Sequence, residues 1–108
     1  MSDIPQLTAE DVKRSIDNKE DIVLLDVRTL EEFARGKIEG SINIPVDHVS
    51  NDITSGISDK NKYIYVYCLS GARSDIVVGL LKQLGYIHVF SMTSGLLMWR
   101  SKGYFLSV

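Results

Sequence analysis

The chain has 108 residues, of which 44% are hydrophobic and 24% charged, and its net charge is −2. This length and composition predict one soluble globular domain that spans residues 1–108. The near-neutral charge argues against a basic nucleic-acid interface or a polybasic membrane contact. No apolar run approaches the roughly 18 residues of a membrane span.

The single cysteine, Cys68, cannot form an internal disulfide. The first residues, Met1 to Pro5, carry no basic region before an apolar segment, so we expect no secretory signal. Both observations favour a reducing, cytoplasmic location. In such a compartment a lone cysteine is either a buried packing residue or a reactive group, and composition alone favours the buried residue.

The first half of the chain predicts two helices and two strands. Thr8 and the acid three residues later resemble the capping box of a short helix. The apolar run at 22–28 is too short for a helix and is typical of a strand buried on both faces of a parallel sheet. Residues 30–35 follow as roughly two turns of helix, and the alternating segment 41–45 ends at a proline, as a short strand does.

The second half predicts two more strands and two more helices. Residues 51–61 are rich in Ser, Asp, Asn and Gly, so we expect a poorly packed helix end and a loop there. A strand at 63–67, a helix after Ser74, a strand at 86–90 and a helix at 94–100 follow. Strands that alternate with helices predict an α/β domain whose sheet is mainly parallel.

Residues 68–74, here called the Cys68 loop, join a predicted strand to a predicted helix. The reactive form of cysteine is the thiolate, and its ordinary pKa of about 8.5 falls toward roughly 3.5–7.5 near helix N-termini and cations. If the loop curls, its backbone amides form a concave site for an anion. Gly71 supplies the backbone freedom for that curl, Arg73 supplies a cation, and Ser74 is a candidate helix N-cap.

The chemistry of this loop does not require a neighbouring base. No histidine–aspartate pair stands near Cys68 in the sequence, and we expect His48 and His88 to be surface or packing residues. A persulfide, Cys–S–S⁻, is itself an anion, and the loop donors would stabilise its outer sulfur as an oxyanion hole stabilises oxygen. We therefore predict that Cys68 is a nucleophile; the alternative is a buried residue at the end of a strand.

Four motifs in this chain resemble, in the same order, those of the rhodanese family of sulfurtransferases. They are LDVR at 25–28 with EF at 32–33, GKIEGSINIP at 36–45, YCLSGARS at 67–74, and GY at 85–86 with GLLMW at 95–99 and GY at 103–104. A lone C-x-x-G-x-R would be a weak signal. Four motifs over nearly the whole chain make the resemblance specific.

The resemblance implies a compact α/β fold around a central, mainly parallel sheet of about five strands flanked by helices. It also implies that Cys68 takes a sulfane sulfur from a small anionic donor, thiosulfate or a persulfide, and passes it to cyanide, a thiol or a protein acceptor. Asp26 and Arg28 would support the loop as an ion pair. By the same analogy the donor is bound by Leu69, Ser70, Gly71, Ala72, Arg73 and Ser74. We expect a monomer that needs no metal or cofactor and binds neither nucleic acid nor membrane.

The chain departs from the family pattern at a few positions. Lys37 stands where the family often has His, and Ser94 replaces the first glycine of a Gly-Gly pair; neither change is expected to alter the chemistry. Leu69 and Ala72 occupy positions that are often basic in members that use thiosulfate. Arg73 is then the only cation in the loop, so a doubly charged donor should be held less firmly. Weak thiosulfate activity or a persulfide donor is expected.

Two other functions remain as alternatives. Related cell-cycle phosphatases carry one more residue between the cysteine and the arginine of this loop. Here four residues separate Cys68 from Arg73, which makes the loop cramped for a phosphoryl group. The other alternative is a sulfur-carrier or regulatory binding module without turnover of its own. Because Cys68 is present, an active domain or a carrier is favoured over a purely regulatory module.

Overall fold

Strands and helices alternate along the chain in the computed structural model, which describes residues 3–108. The strands are Gln6–Leu7 (β1), Ile22–Asp26 (β2), Ile42–Asn43 (β3), Tyr63–Tyr67 (β4) and His88–Met92 (β5). The helices are Ala9–Asp17 (α1), Leu30–Arg35 (α2), Val49–Gly56 (α3), Ala72–Gln83 (α4) and Gly95–Ser101 (α5), with a 3-10 turn at Val46–His48. Within the described residues, none of the helices is both long enough and apolar enough to cross a bilayer.

The strands form one sheet in the order β1-β5-β4-β2-β3, and every neighbouring pair is parallel. In its centre, β2 and β4 pair in register, with Asp26 opposite Tyr67. The pairing continues one step further, because the Val27 N–H donates to the Tyr67 carbonyl at 3.1 Å. The carboxyl ends of β2 and β4 therefore lie side by side, at the edge where α/β proteins place their sites. The predicted α/β fold with a parallel sheet of five strands is confirmed.

Each face of the sheet is covered, as the continuous apolar runs of β2 and β4 predict. Along β4 the side chains alternate: Ile64, Val66 and Cys68 belong to the apolar cluster under α3 and α4. Tyr65 and Tyr67 belong to the cluster on the opposite face, with residues of α1 and α5. The direction of the Cys68 side chain is thus set by the period of two of the strand before it.

Two helices begin with the same capping box. The Thr8 hydroxyl accepts the N–H of Asp11, whose carboxylate accepts the N–H of Thr8, so the predicted capping box of α1 is confirmed. Thr29 and Glu32 form the same capping box at α2. The Thr29 N–H donates to the Glu32 carboxylate at 2.9 Å, and the Glu32 N–H donates to the Thr29 hydroxyl at 3.2 Å. The second box fixes where the Glu32 carboxylate stands, which matters for the site below.

The predicted helix end and loop at 51–61 agree with the structure, but the helix is not poorly packed. Residues Val49–Gly56 form α3, whose Val49 and Ile53 are fully buried. These two apolar residues are four apart and therefore share one face of the helix. The polar residues between them face solvent, and their number suggested a poorly packed helix.

Candidate active site

The Cys68 loop turns sharply between β4 and α4. Cys68 directly follows the last residue of β4, and α4 begins at Ala72 with Gly71 as its N-cap. Gly71 has a φ of +109°, which side chains of L-residues rarely adopt, and a Cβ there would also lie 3.4 Å from the backbone nitrogen of Ser94. Glycine at this position therefore permits the curl that the sequence predicted.

The loop donors surround the sulfur atom. The Gly71 N–H donates to Cys68 Sγ at 3.1 Å, and the Ser74 hydroxyl lies 3.7 Å from the same atom. Burial by itself raises the pKa of the Cys68 thiol. The N–H groups of Ser74, Gly71 and Ser70 and the Ser74 hydroxyl outweigh that effect, so the pKa lies below its ordinary value. A lowered pKa favours the reactive thiolate at the N-terminus of α4.

The sulfur lies on the floor of the loop rather than on the molecular surface. Cys68 is only 1% exposed, whereas Ser70 and Ala72 are exposed and Leu69 is half-buried. A donor molecule that reaches the loop from solvent therefore meets these three accessible residues. Their side chains are small or apolar, and they bring no charge to that approach.

A second helix N-terminus holds the loop from the other side. The N–H groups of Leu96 and Leu97, in the first turn of α5, donate to the carbonyls of Cys68 and Leu69, each at 3.0 Å. Gly95 permits this close approach, because a Cβ there would lie 2.6 Å from the Leu69 carbonyl oxygen and even nearer to that of Cys68. Ser94, which replaces a family glycine, keeps the left-handed backbone with a φ of +62°. The sequence motifs contained Gly95 but did not reveal this role.

Ser74 does not cap α4 as predicted. It lies inside the first turn and is fully buried, where its hydroxyl donates to the Gly71 carbonyl at 3.1 Å. The hydroxyl of Ser91, also fully buried, lies 2.7 Å from that of Ser74. Sequence reasoning missed Ser91 because the strand was predicted at 86–90, whereas β5 is His88–Met92.

Arg73, the one cation of the Cys68 loop, is held by an acid from another helix. Its guanidinium binds both oxygens of Glu32 in α2, at 2.7 and 3.1 Å. The Arg73 guanidinium lowers the pKa of Glu32 to about 2, and Glu32 in turn raises the pKa of Arg73. The sequence placed Glu32 in a motif but assigned it no role. The charge of Arg73 is therefore balanced before any anion arrives.

Asp26 and Arg28 form a buried ion pair at the end of β2. Arg28 Nη2 binds Asp26 Oδ2 at 2.6 Å and the Gly36 carbonyl at 2.7 Å, and both side chains are at most 3% exposed. The guanidinium also lies 5.9 Å from the ring centroid of Tyr67. Among residues 3–108, the hydrogen-bond partners of Cys68 Sγ are the Gly71 N–H and the Ser74 hydroxyl. The pair thus braces the chain beside the loop and does not touch the sulfur.

Comparisons with known proteins match this architecture. A family model described as a rhodanese-like domain matches residues 8–102. The chain is 32% identical over 101 residues to the putative sulfur carrier protein YrkF of Bacillus subtilis. The aligned region covers 94% of this chain and 54% of that protein. It is 29% identical over 100 residues to a sulfurtransferase of Allochromatium vinosum, and the aligned region covers 93% of this chain and 92% of that protein.

A solved structure shows the same arrangement in three dimensions. The crystal structure of a rhodanese-related protein from Thermoplasma volcanium superposes with a TM-score of 0.83 and 30% identity, over 95% of this chain and 97% of that one. This chain spans about half the length of YrkF. The family match runs from the cap of α1 to the end of α5 and contains the whole Cys68 loop. The chain therefore belongs to the rhodanese-like family.

Proposed function

We propose that this chain is a sulfurtransferase that carries a sulfane sulfur as a persulfide on Cys68. The observation that carries the proposal is the bond from the Gly71 N–H to Cys68 Sγ at the N-terminus of α4. It supports a thiolate at rest and an anionic sulfur after loading. The family match and the sulfurtransferase among the relatives support the same reaction class.

The loading step needs no base, because the thiolate is the nucleophile. With thiosulfate as donor, the Cys68 thiolate attacks the outer sulfur and forms a new S–S bond. The S–S bond of the donor breaks, and its electron pair leaves with sulfite, so that Cys–S⁻ and S₂O₃²⁻ become Cys–S–S⁻ and SO₃²⁻. The N–H groups and the hydroxyl that face Sγ would stabilise the anion that forms. A persulfide donor reacts in the same way and leaves as a thiolate.

The second step returns the enzyme to its starting form. A thiophilic acceptor, cyanide or a thiolate, attacks the outer sulfur, and the Cys68 thiolate is the leaving group. Cyanide becomes thiocyanate, and a thiolate becomes a persulfide. The donors that lower the pKa of Cys68 also make it a better leaving group, because they stabilise its charge.

A sulfur carrier without turnover of its own is the second candidate. The similarity to a protein named as a putative sulfur carrier favours it, and so does the balanced charge of Arg73, which offers little to a free dianion. In that function a partner protein would both load and unload Cys68. A phosphatase is disfavoured, because the loop of four residues between Cys68 and Arg73 is cramped for a phosphoryl group.

Intact-protein mass spectrometry tests these functions. We expect thiosulfate or glutathione persulfide to add one sulfur atom to the chain, cyanide to remove it, and thiocyanate to appear. Cys68→Ser should show none of these events, and because Cys68 is the only cysteine, no other thiol can contribute. Loading without release to cyanide or small thiols would indicate a carrier. Absence of any loading, or loading of Cys68→Ser, would contradict the proposal.

A further inference from the structure

The inference rests on the proposed function and concerns which sulfur donor the site accepts. We propose that Glu32 is a specificity-determining residue that directs the Cys68 loop toward organic, singly charged sulfur donors and away from thiosulfate. The donor class is a thiosulfonate, R–SO₂–S⁻, or an organic persulfide, R–S–S⁻. The argument begins with the bidentate pair between Glu32 and Arg73, at 2.7 and 3.1 Å.

The charges around the loop leave a dianion without a net counter-charge. Arg73 contributes one positive charge, and Glu32 cancels it at contact distance. Asp75, in the first turn of α4, adds a negative charge next to the loop, and the buried Asp26–Arg28 pair is neutral as a unit. The remaining attraction for an anion comes from backbone N–H groups and the helix N-terminus, which amount to roughly half an elementary charge. That partial charge offsets a larger share of the single charge on an outer sulfur than of the two charges on a dianion.

Glu32 is fixed in this position and cannot easily turn away. Its carboxylate also accepts the N–H of Thr29 at 2.9 Å, and its own N–H donates to the Thr29 hydroxyl. The side chain is 26% exposed, so solvent screens the pair only in part. A donor that needs Arg73 would have to displace a carboxylate that is already bound through two oxygens, which is the strong geometry for arginine.

The solvent side of the loop suits an organic group. Leu69 is half-buried and Ala72 exposed, and Leu97, whose N–H bonds to the Leu69 carbonyl, is 53% exposed. These apolar side chains would contact the R group of a thiosulfonate or an organic persulfide. The sulfonate oxygens of thiosulfate would find no cation among them.

The transfer balances for either donor. For a thiosulfonate, the Cys68 thiolate bonds to the outer sulfur, the S–S bond of the donor breaks, and the electron pair leaves with a sulfinate, R–SO₂⁻. For an organic persulfide, the same attack releases the thiolate R–S⁻. In both cases the two negative charges before the step are still two after it. With thiosulfate, the two charges of the donor and the one charge of the Cys68 thiolate meet in the loop. Glu32 disfavours the additional charge because it already neutralises Arg73.

Two donors that differ by one charge provide the test. Thiosulfate and methanethiosulfonate both present an outer sulfur on a sulfonyl group, but the first is a dianion and the second a monoanion. The second-order rate of persulfide formation on Cys68 is measured for each by mass spectrometry. We expect the wild-type chain to favour methanethiosulfonate. Glu32→Gln, which keeps an acceptor oxygen and removes the charge, should raise the thiosulfate rate relative to methanethiosulfonate about three- to tenfold, and added salt should shrink that change.

Matched variants separate charge from structure. Glu31→Gln removes the same charge from the neighbouring, exposed residue of α2 and should change the ratio less than twofold, on the order expected for a screened surface charge. Thr29→Ala removes the helix cap but leaves the carboxylate, and should lower stability without moving the ratio. If Glu32→Gln does not fold, Glu32→Asp keeps the charge but draws the carboxylate back from Arg73 by one methylene, so it should move the ratio in the same direction by a smaller factor.

The outcomes distinguish this inference from the proposed function. A ratio that stays constant in folded Glu32→Gln while both donors load Cys68 overturns the inference and leaves the sulfurtransferase intact. A wild-type chain that prefers thiosulfate also overturns it. Failure of every donor to load any variant contradicts the proposed function and the inference together.

Discussion

The hydroxyl oxygen of Ser91 lies 2.7 Å from that of Ser74, and both residues are fully buried next to the Cys68 loop. The Ser74 hydroxyl is also 3.7 Å from Cys68 Sγ and 3.1 Å from the Gly71 carbonyl. A hydroxyl has one proton to donate and two lone pairs to accept. When Ser91 donates to Ser74, the single Ser74 proton is left for the Gly71 carbonyl and, once Cys68 is a thiolate, for Sγ as the competing acceptor. Three side chains, one directly after β4, one in α4 and one in β5, are thus joined in one polar group inside the core.

The first prediction concerns this polar group. Ser74→Ala removes a donor to the thiolate, which raises the pKa of Cys68 and lowers the thiolate fraction at neutral pH. We expect alkylation of Cys68 by iodoacetamide near neutral pH to slow about two- to tenfold, the range for one hydrogen bond. Ser91→Ala should act in the same direction with a smaller effect. The rate is measured as a function of pH, and Cys68 is the only thiol that can react.

Ser55→Ala is the control, since Ser55 is exposed in α3 and donates only to the Asp52 carbonyl of its own helix. Its alkylation profile should match that of the wild-type chain. An unchanged profile in a folded Ser74→Ala variant would show that the hydroxyl does not stabilise the thiolate.

The second prediction concerns the contact between α5 and the loop. In Gly95→Ala the new methyl group would meet the carbonyls of Cys68 and Leu69, and the residue would hold a φ of +48°. We expect a loss of about 3 kcal/mol or more in the free energy of unfolding, since overpacking contributes about 1–3 kcal/mol and a left-handed backbone about 1–2 kcal/mol. Gly103→Ala is the matched control: its φ is +74°, but nothing lies within 4 Å of the new Cβ.

Urea denaturation measures both glycine variants. Gly103→Ala should lose only the backbone term of about 1–2 kcal/mol. Equal losses in the two variants would mean that the loop and α5 separate at little energetic cost. The fit between them would then not hold the Cys68 loop.

The sequence predicted the parts of the site that local chemistry determines. A strand of β-formers that runs into a cysteine, a glycine three residues later and an apolar helix are all contiguous, so Cys68, Gly71 and the N-terminus of α4 could be placed together. The direction of the Cys68 side chain also follows from the alternation along β4. Only the first residue of α4 differed, because Gly71 rather than Ser74 is the N-cap.

The contacts that complete the site come from distant parts of the chain. Glu32 is 41 positions from Arg73 and Ser91 is 17 from Ser74. Both contacts exist because β4 lies between β2 and β5, and the order of strands in a sheet is not written in any local pattern. Ser91 was also missed because the strand was predicted two residues too early, at 86–90 instead of His88–Met92. The local pattern therefore identifies the nucleophile, whereas the residues that adjust the charge around it can be identified only from the three-dimensional fold.

The third prediction concerns the buried ion pair beside the loop. Arg28→Ala leaves the Asp26 carboxylate buried without its partner, and we expect about 3–5 kcal/mol of destabilisation. The surface pair between Lys62 and Asp21, at 2.6 Å, with side chains that are 28% and 88% exposed, is the control. Lys62→Ala should change the free energy of unfolding by about 0–1 kcal/mol, as is usual for a surface pair. Equal losses in the free energy of unfolding, measured by urea denaturation, would show that breaking the buried Asp26–Arg28 pair costs no more than breaking a surface pair.

The last prediction is a dependence of stability on pH. The pKa of Glu32 falls from 4.5 to about 2 in the folded chain because of Arg73, so its contribution is fully present above about pH 4.5 and is lost as the pH falls toward 2. Glu32→Gln lacks that titration. The wild-type chain should therefore be more stable than Glu32→Gln at about pH 6, by roughly 1–2 kcal/mol once solvent screening is counted. The gap, measured by urea denaturation, should close in acid, and a gap that stays constant or widens there would contradict the ion pair as its source.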